Sequence, residues 1–339
     1  MTETAKWNST IYDVAALAGV SAKTVSRVMN DSPNVTDATR EKVTTAINEL
    51  QYERNPLATS LRRGRGDAVA IVVGPLTDPF FASLASGIQH VAKERGSVPI
   101  LITGTEADPA RERSLVESMV RRQVSGIVLV PIGPDQSYIA SLPPEVPVVF
   151  ADRRGGLVER DTVIVDDEAA AFEATEHLIR AGHRRIALVG DLDKVSSAGA
   201  RERGYRDALV AAGIDVDHAL IAHCPSPESV VQAAHELLAL AEPPTAIFSS
   251  NAQASLALVP YLHEADRTEI AIVCFGDFPM ASSLKPGITV IDQDPVEMGE
   301  AAARMLFARL DGTADASAQT LVLPTRLIAR GSGELPPQA

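Results

Sequence analysis

The sequence predicts an α/β protein in two parts, a small helical head and a large body of parallel sheets flanked by helices. Three observations predict this fold class. Residues 9–50 carry three short helical patterns, and from residue 68 onward short β-rich runs alternate with longer helical patterns. The body holds about 260 residues, which is too much chain for one such sheet, so we expect two lobes.

Composition and cysteine usage exclude several other classes. Of the 339 residues, 45% are hydrophobic and 22% are charged, as in ordinary globular proteins. No apolar run reaches the roughly 18 residues of a membrane helix, and the polar first residues do not resemble a signal peptide. Cys224 and Cys274 lie far apart in the sequence, which argues against a disulfide framework and a structural zinc site. We therefore expect a cytoplasmic protein that makes no membrane contact.

The charge is divided unevenly along the chain. The formal net charge is −13, yet residues 1–66 hold nine Lys and Arg against seven Asp and Glu. The remaining residues hold 22 Lys and Arg against 37 Asp and Glu. Nucleic acid would be attracted to the head and repelled by the body, although a chance fluctuation in a mildly charged chain gives the same numbers.

Three N-cap residues, Thr10, Ser21 and Thr36, predict where the helices of the head begin. A helix, a short turn and a second helix are typical of the helix-turn-helix, which places its second helix in the major groove of DNA. Arg27 can offer two parallel donors to a guanine, and Lys23, one turn earlier, can contact a base edge or a phosphate. A solvated face on a small helical bundle is the alternative that the spacing leaves open.

Residues 55–63 predict a short linker helix, with Asn55 as its N-cap and Pro56 in its first turn. A helix of about two turns is marginal in water by itself. Against DNA, Leu61 can wedge between base steps of the minor groove while Arg62 neutralises a phosphate. A flexible tether between domains is the alternative.

Short β-rich runs and helical patterns alternate in the body. The runs cover residues 68–74, 98–103, 126–131, 146–150, 185–190, 245–249, 270–275 and 320–324, and the helical patterns cover residues 80–95, 110–123, 168–181, 200–212 and 229–240. Strands separated by helices of this length pair in parallel. Ligands of such sheets bind beyond the carboxyl ends of the strands, which with two lobes means the cleft between them.

Polar residues at or just after these runs are candidates for a small-molecule site. They are Asp78, Asp152, Asn251, Asp277 and Gln293. Arg201 joins them near a predicted helix start, after residues 196–199, which predict a flexible segment, and Phe80 or Phe81 can form an apolar wall. Such a set can hydrogen-bond a sugar.

Residues 10–30 (TIYDVAALAGVSAKTVSRVMN), 35–43 (VTDATREKV) and 50–56 (LQYERNP) resemble the DNA-binding head of the LacI/GalR family of bacterial transcription regulators. The resemblance implies that the second helix contacts bases in the major groove, and that a hinge helix pairs with its dimer mate and inserts a leucine into the minor groove. The residues that it implies in DNA binding are Tyr12, Ser21, Ala22, Lys23, Thr24, Arg27, Asn30 and Asn34 in the head and Ala58, Leu61 and Arg62 in the hinge.

The resemblance extends over essentially the whole chain and implies a domain organisation. A helix-turn-helix head would span residues 1–54, the hinge helix and linker residues 55–66, and a periplasmic-binding-protein-like core that binds an effector and dimerises residues 67–339. The core would have two lobes, with crossovers near residues 161–166 and 290–294. The positions that match effector contacts of the family are Asp152, Arg201, Asn251 and Gln293.

Three positions depart from the usual pattern of the family. Members usually carry two adjacent aspartates after the strand that here ends at Phe275, and this chain keeps only the second, Asp277. Asn251 is followed by Ala252 where an acid is often found, and Val130 replaces a polar residue. The cleft therefore loses carboxylate acceptors, which leaves a neutral sugar possible and makes an acidic or phosphorylated effector less costly to bind.

Enzymes are the main rival class for an α/β chain, but the sequence lacks the G-x-G-x-x-G loop, the P-loop and the G-x-S-x-G elbow. His218, His223 and Cys224 lie near one another without helical ligand spacing, so we expect no metal site. A sugar-binding transport protein would share the body, but it would need a signal peptide and would not carry the basic head.

The sequence therefore predicts a dimeric transcription regulator, with repression as the expected mode, and not an enzyme. Its expected partners are a palindromic operator in double-stranded DNA, a small-molecule effector and a second copy of the chain, with no catalytic residue, cofactor or metal. A tetramer is not expected, because residues 331–339 are too few for a coiled-coil seam and contain two prolines. The effector, the operator, and whether the effector releases DNA or promotes its binding stay open.

Overall fold

The computed structural model describes residues 9–29, 32, 35–50, 52, 66–106, 108–192 and 195–338. The chain divides into two compact units, Met1–Gly66 and Asp67–Ala339. Several predictions fall outside the described residues, namely the linker helix over residues 55–63 and the proposed DNA contacts Asn30, Asn34, Ala58, Leu61 and Arg62.

The first unit contains three helices, α1 (Ile11–Ala18), α2 (Ala22–Met29) and α3 (Asp37–Glu49). The Thr10 hydroxyl accepts a hydrogen bond from the Asp13 amide, and the Asp13 carboxylate accepts one from the Thr10 amide, so the two residues form a capping box at the start of α1. One fully buried valine from each helix, with smaller apolar neighbours, forms the core: Val14, Val25 and Val43. Leu17, which also fits the apolar pattern of α1, is 47% exposed and does not belong to this core.

The second unit alternates strands and helices along the chain. Its first half contains β1 (Val69–Val73), α4 (Pro79–Glu94), β2 (Ile100–Gly104), α5 (Pro109–Arg121), β3 (Gly126–Leu129), β4 (Val148–Ala151), β5 (Thr162–Val165) and α6 (Asp167–Arg180). Its second half contains β6 (Ile186–Gly190), α7 (Ser196–Ala211), β7 (Ile221–His223), α8 (Pro227–Leu238), β8 (Ala246–Ser249), α9 (Ala252–Glu264), β9 (Ala271–Phe275), β10 (Thr289–Asp292), α10 (Pro295–Asp311), β11 (Thr320–Leu323) and β12 (Arg326–Ile328).

The described strands form two six-stranded sheets, which define lobe 1 and lobe 2. The sheet of lobe 1 has the order β11-β5-β4-β3-β1-β2 and is parallel throughout. The sheet of lobe 2 has the order β12-β10-β9-β8-β6-β7 and is parallel except for β12. Every residue of β1, β3, β4, β6, β8 and β9 is buried, because helices cover both faces, and this explains why these strands are nearly continuous runs of apolar residues.

In the described part of the chain, the backbone passes between the lobes three times. It leaves β5 of lobe 1 at Asp166 and enters α6, which packs on the sheet of lobe 2. It returns at residues 293–294 into α10, which packs on α4 and on the sheet of lobe 1. A third passage, which the sequence did not predict, joins β11 of lobe 1 to β12 of lobe 2 at residues 324–325. The carboxyl ends of the parallel strands of each lobe lead toward these passages.

Helices α6 and α7 of lobe 2 pack very closely against each other. The Cα of Gly204 on α7 lies so near α6 that a Cβ there would overlap the Glu168 carbonyl group. Only glycine permits this approach, and it fixes α7, and with it Arg201, against the first turn of α6.

Candidate functional site

The exposed face of α2 carries the side chains predicted to read DNA. Val25 and Val28 are buried in the core of the head, so the opposite side of the helix, with Lys23 and Arg27 one turn apart, is exposed. Ser21 caps the helix, since its hydroxyl accepts a hydrogen bond from the Thr24 amide at 3.1 Å. This fixes the start of α2, where a recognition helix contacts bases.

Tyr12 on α1 is 74% exposed, which is a large exposure for an aromatic side chain in a bundle with so small a core. Ala22 and Thr24 are half-buried at the start of α2. The described part of the predicted DNA-binding set therefore lies on surface positions of α1 and α2 and at their junction.

In the body, the lobe 1 side of the cleft is formed by residues that follow strands. Asp78, just beyond β1, caps α4, and its Oδ1 accepts a hydrogen bond from the Phe80 amide at 2.9 Å. Phe80 is buried, with its ring at 5.3 Å from that of Phe81 in an edge-to-face arrangement. Asp152 directly follows β4 with a φ of 65°, a left-handed conformation that is uncommon outside glycine, and only 5% of it is exposed. An aspartate held this way is a candidate for function rather than for packing.

The lobe 2 side is organised by Arg201. Its Nε and Nη2 each lie 2.7 Å from Oδ1 of Asp167, and its Nη1 donates to the Ser250 carbonyl oxygen at 2.8 Å. Its guanidinium also lies 3.7 Å from the ring centre of Phe275. Arg201 is 5% exposed, so it is a buried cation whose contacts fix its position in advance of any ligand.

The segment 196–199, which the sequence predicts as flexible, is the first turn of α7. The helix begins at Ser196, and the Gly199 amide donates to the Val195 carbonyl oxygen at 2.9 Å. The prediction was wrong because Ser-Ser-Ala-Gly has weak helix propensity, while burial of Ser197 and Ala198 against the rest of the body supplies the missing stabilisation.

Arg153 is a cleft residue that sequence reasoning missed. Its Nε lies 3.2 Å from Oδ2 of Asp152 and donates to the Ser197 hydroxyl of lobe 2 at 3.2 Å, while its Nη1 donates to the Pro131 carbonyl oxygen at 3.3 Å. Arg153 therefore bridges the lobes. The available signal was its position next to Asp152 after a buried strand, but nothing local identifies Ser197, 44 residues later, as its partner.

The charges of the cleft act on one another. Burial raises the pKa of Asp78, and the nearby Asp152 carboxylate adds to this effect while Arg153 and Arg201 oppose it. Burial also raises the pKa of Asp167 to about 6, against the lowering effect of Arg201. Three carboxylates thus share two guanidinium groups in a region of low solvent exposure.

Asn251 and Gln293 add two amides from lobe 2. Asn251 caps α9, and its Oδ1 accepts a hydrogen bond from the Ala254 amide at 2.7 Å. Gln293 lies at the second passage and is 5% exposed, and its Oε1 has no hydrogen-bond partner among the described residues. A buried amide oxygen without a donor is a group that a bound ligand or water satisfies.

Asp277 has a different environment from the other predicted effector contacts. Arg330 donates to both of its oxygens, at 2.8 and 2.6 Å, and lowers the pKa of this carboxyl group. Its charge is therefore already balanced by the segment that follows β12.

A cavity of about 390 Å³ lies at the junction of the lobes. Asp152 and Arg153 line it from lobe 1, and Asp167, Ser196 and Ser197 line it from lobe 2. Its volume falls within the range of about 300–1,000 Å³ that is common for small-molecule sites. Of the predicted effector contacts, Asp152 lines this cavity directly. Arg201 does not line it but is paired with Asp167, which does, and Asp78 lies close enough to Asp152 for the two charges to interact.

Two family models match the chain. The model of bacterial regulatory proteins of the lacI family matches residues 10–55, and that of the periplasmic binding protein-like domain matches residues 175–333. The transcriptional regulator CelR of Thermobifida fusca is 34% identical over 336 residues, which cover 96% of this chain and 98% of CelR. This chain belongs to the LacI family of bacterial transcription regulators.

Two solved structures extend this result to the whole fold. A complex of CelR with cellobiose covers 96% of this chain and all of its own, with 31% identity and a TM-score of 0.70. The lac repressor dimer bound to operator and the anti-inducer ONPF covers 96% of this chain and 99% of its own, with 27% identity and a TM-score of 0.84. The predicted fold class, the family and the function as a DNA-binding transcription regulator under effector control are confirmed, and this LacI-family protein is a regulator and not an enzyme. No helix in the described part of the chain is both long and apolar enough to span a membrane.

Proposed function

We propose that in this LacI-family regulator residues 1–54 read the operator, residues 55–66 form the hinge and residues 67–339 bind the effector and join two chains. The exposed pair Lys23 and Arg27 on α2 supports the first assignment. The other DNA contacts that the family resemblance implies, including those of the hinge, belong to the same proposal. The protein would act in the cytoplasm, where the operator is.

The effector that we propose is a neutral sugar, and the observation that supports it is the balance of charge in the cleft. Three carboxylates, of Asp78, Asp152 and Asp167, face two guanidinium groups, of Arg153 and Arg201. An acidic or phosphorylated effector would add negative charge to a buried region that already has an excess of it. Sugar hydroxyls both donate and accept, so they fit carboxylates and guanidinium groups together. The structure of the relative CelR holds cellobiose.

Each predicted contact then has a role. Asp78 and Asp152 accept hydrogen bonds from hydroxyl groups, Arg201 donates, and the free Oε1 of Gln293 accepts one more. Asn251 donates through its amide nitrogen, because its oxygen already caps α9. Phe80 supplies an apolar contact from lobe 1. Asp277 contributes at the edge of the site through its carboxylate, both oxygens of which accept hydrogen bonds from Arg330.

A thermal-shift experiment tests the choice of effector. The purified protein is heated with cellobiose, glucose, gluconate or glucose 6-phosphate, each at increasing concentration. A ligand that binds only the folded state raises the melting temperature by mass action, so we expect a rise with a neutral sugar and none with its charged derivative. A rise with gluconate or glucose 6-phosphate alone would overturn the neutral-sugar proposal.

We propose that the two chains of a homodimer meet through the face of lobe 1 formed by α4 and the edge strand β2. Leu101 and Ile102 on β2 are 39% and 48% exposed, and Val296, which lies beside Ile102, is 41% exposed. An exposed apolar edge strand tends to associate with another chain, and a partner subunit that covers it satisfies this tendency. Light scattering should give twice the chain mass for the wild type and one chain mass for Ile102→Glu. Leu157→Glu, which changes an equally apolar exposed residue of a loop in lobe 1, should stay dimeric, and a dimeric Ile102→Glu would overturn the assignment of this face.

A further inference from the structure

A buried carboxylate in lobe 1 has no part in the site described so far. Glu112, in the first turn of α5, is 1% exposed. Its Oε2 accepts a hydrogen bond from the Ile132 amide at 2.6 Å, and its Oε1 accepts one from the Tyr138 hydroxyl at 2.7 Å. No cation among the described residues contacts it, and burial raises its pKa. A neutral acceptor would satisfy the Ile132 amide without the desolvation of a charge, so packing alone does not explain a carboxylate here.

Through the Ile132 amide, Glu112 holds the loop that follows β3. This loop lies at the edge of the lobe 1 sheet, and that edge faces the cleft. Ile132 follows Pro131, whose carbonyl oxygen accepts the hydrogen bond from Nη1 of Arg153. Gln136 closes the same loop, since its amide nitrogen donates to the Gly133 carbonyl oxygen at 2.9 Å. The carboxylate therefore fixes the backbone on which Arg153 rests.

Arg153 connects this loop of lobe 1 to lobe 2. The same guanidinium group donates from Nε to the Ser197 hydroxyl in the first turn of α7. Its charge is also close enough to Glu112 to lower the pKa of that carboxyl group, against the raising effect of burial.

We propose that Glu112 is a positioning residue for the effector cleft, which fixes the Pro131–Gly133 backbone so that Arg153 is held in its bridge to Ser197 of lobe 2. The role of the cleft rests on the function proposed above, whereas the chain of contacts from Glu112 to Ser197 does not. Loss of the carboxylate should loosen the first turn of α7, although no atom of Glu112 contacts lobe 2.

Hydrogen exchange of the full-length protein tests the chain of contacts without any ligand. The amide nitrogen of Gln136 also donates to Oε1 of Glu112, at 3.5 Å. Glu112→Gln keeps the size of the side chain but retains one acceptor oxygen for these three donors. We expect exchange to become faster by about threefold or more in residues 131–136 and, across the cleft, at the start of α7. Arg153→Ala should give the same change in α7, and adding Glu112→Gln to Arg153→Ala should produce no further change there.

Asp161→Asn is the matched control. Asp161 is also a buried carboxylate of lobe 1, at the opposite end of β5, where Arg309 donates to both of its oxygens. This variant should destabilise lobe 1 without faster exchange in α7. If Glu112→Gln does not fold, Tyr138→Phe removes one donor to the same carboxylate and should give a smaller change in the same direction. An unchanged α7 in Glu112→Gln or in Tyr138→Phe, or equal changes in Glu112→Gln and Asp161→Asn, would overturn the proposal.

Cellobiose, the sugar held by the relative, provides a second measurement. Its half-saturating concentration should rise about fivefold in Glu112→Gln and stay unchanged in Asp161→Asn. If cellobiose does not bind the wild-type protein, the choice of this sugar fails while the exchange experiment still decides the role of Glu112.

Discussion

The head and the cleft present their charged side chains in opposite ways. On α2, Lys23 and Arg27 are exposed, and the buried side of the helix alone fixes their direction. In the cleft, Arg201 and Asp152 are each 5% exposed and lie within a network that crosses both lobes. A substitution in the head should therefore change DNA binding with little effect on stability, whereas one in the cleft should change both ligand binding and stability.

The strongest test of this contrast is Arg201→Ala. It leaves the Asp167 carboxylate buried without its cation and removes the donor to the Ser250 carbonyl oxygen. We expect the free energy of unfolding to fall by about 3 kcal/mol or more, measured by chemical denaturation. Arg203→Ala, two positions away on the exposed side of α7, breaks an ion pair with Glu168 and should cost less than about 1 kcal/mol. Similar losses for Arg201→Ala and Arg203→Ala would show that the cleft is no more tightly organised than the surface.

The pH dependence of stability gives the next largest effect. The folded protein raises the pKa of Asp167 to about 6 from an ordinary value of 3.8, so it binds this proton more tightly than the unfolded chain does. The resulting stability is fully present below about pH 4 and is lost as the pH rises to about 6, by up to about 3 kcal/mol.

Unfolding of the wild type and of Asp167→Asn at several pH values isolates this contribution. The difference in stability, wild type minus variant, should fall between pH 4 and pH 6, because asparagine does not titrate. A difference that rises over this interval would mean that Arg201 dominates and that the carboxylate is ionised throughout.

Arg27→Ala tests the head side of the comparison. It should lower the affinity for an operator selected from random DNA by about 1–3 kcal/mol and reduce the preference for that sequence. The free energy of unfolding should stay within about 0.5 kcal/mol of the wild type. Arg121→Ala, an exposed arginine of lobe 1, serves as the control for a general loss of positive charge. If Arg27→Ala distinguishes the operator from random DNA as well as the wild type does, Arg27 takes no part in base recognition.

The smallest main effect in this series should come from Ser197→Ala. This change removes the lobe 2 acceptor of the Arg153 bridge and should cost about 0.5–1.5 kcal/mol of stability, since a single hydrogen bond is lost. Its effect on the half-saturating concentration of the effector should be larger than its effect on stability implies. If the change in the half-saturating concentration is no larger than the loss of stability implies, the bridge is not part of the effector site.

The two regions also differ in how far the sequence predicts them. The caps at Thr10, Ser21 and Thr36 bind amides only a few residues later, so the short sequence that contains them also contains their partners. The described helices of the head and most strands of the body follow from such local patterns. In the cleft, Arg153 and Ser197 are separated by 44 residues, and the helix start at Ser196 depends on burial that no local pattern reports.

Single residues of the site show the same limit. The positions of Asp78 and Asp152 after strands predicted their place at the cleft, because parallel strands bring their carboxyl ends to one edge. The fork between Asp277 and Arg330 was not predictable, since the partner arrives through β12, after the third passage between the lobes. Contacts between distant segments thus decide which candidate acid is already paired.

The three passages between the lobes have a consequence for the synthesis of the protein. Lobe 1 needs α10 and β11, which the ribosome makes more than a hundred residues after β5, and lobe 2 needs β12, which is made later still. Neither lobe is one continuous stretch of chain, so neither can complete its sheet until almost the whole polypeptide has emerged. The head has its three described helices within the first 50 residues and can fold at once. During translation, the DNA-binding surface would therefore exist well before the part of the molecule that controls it.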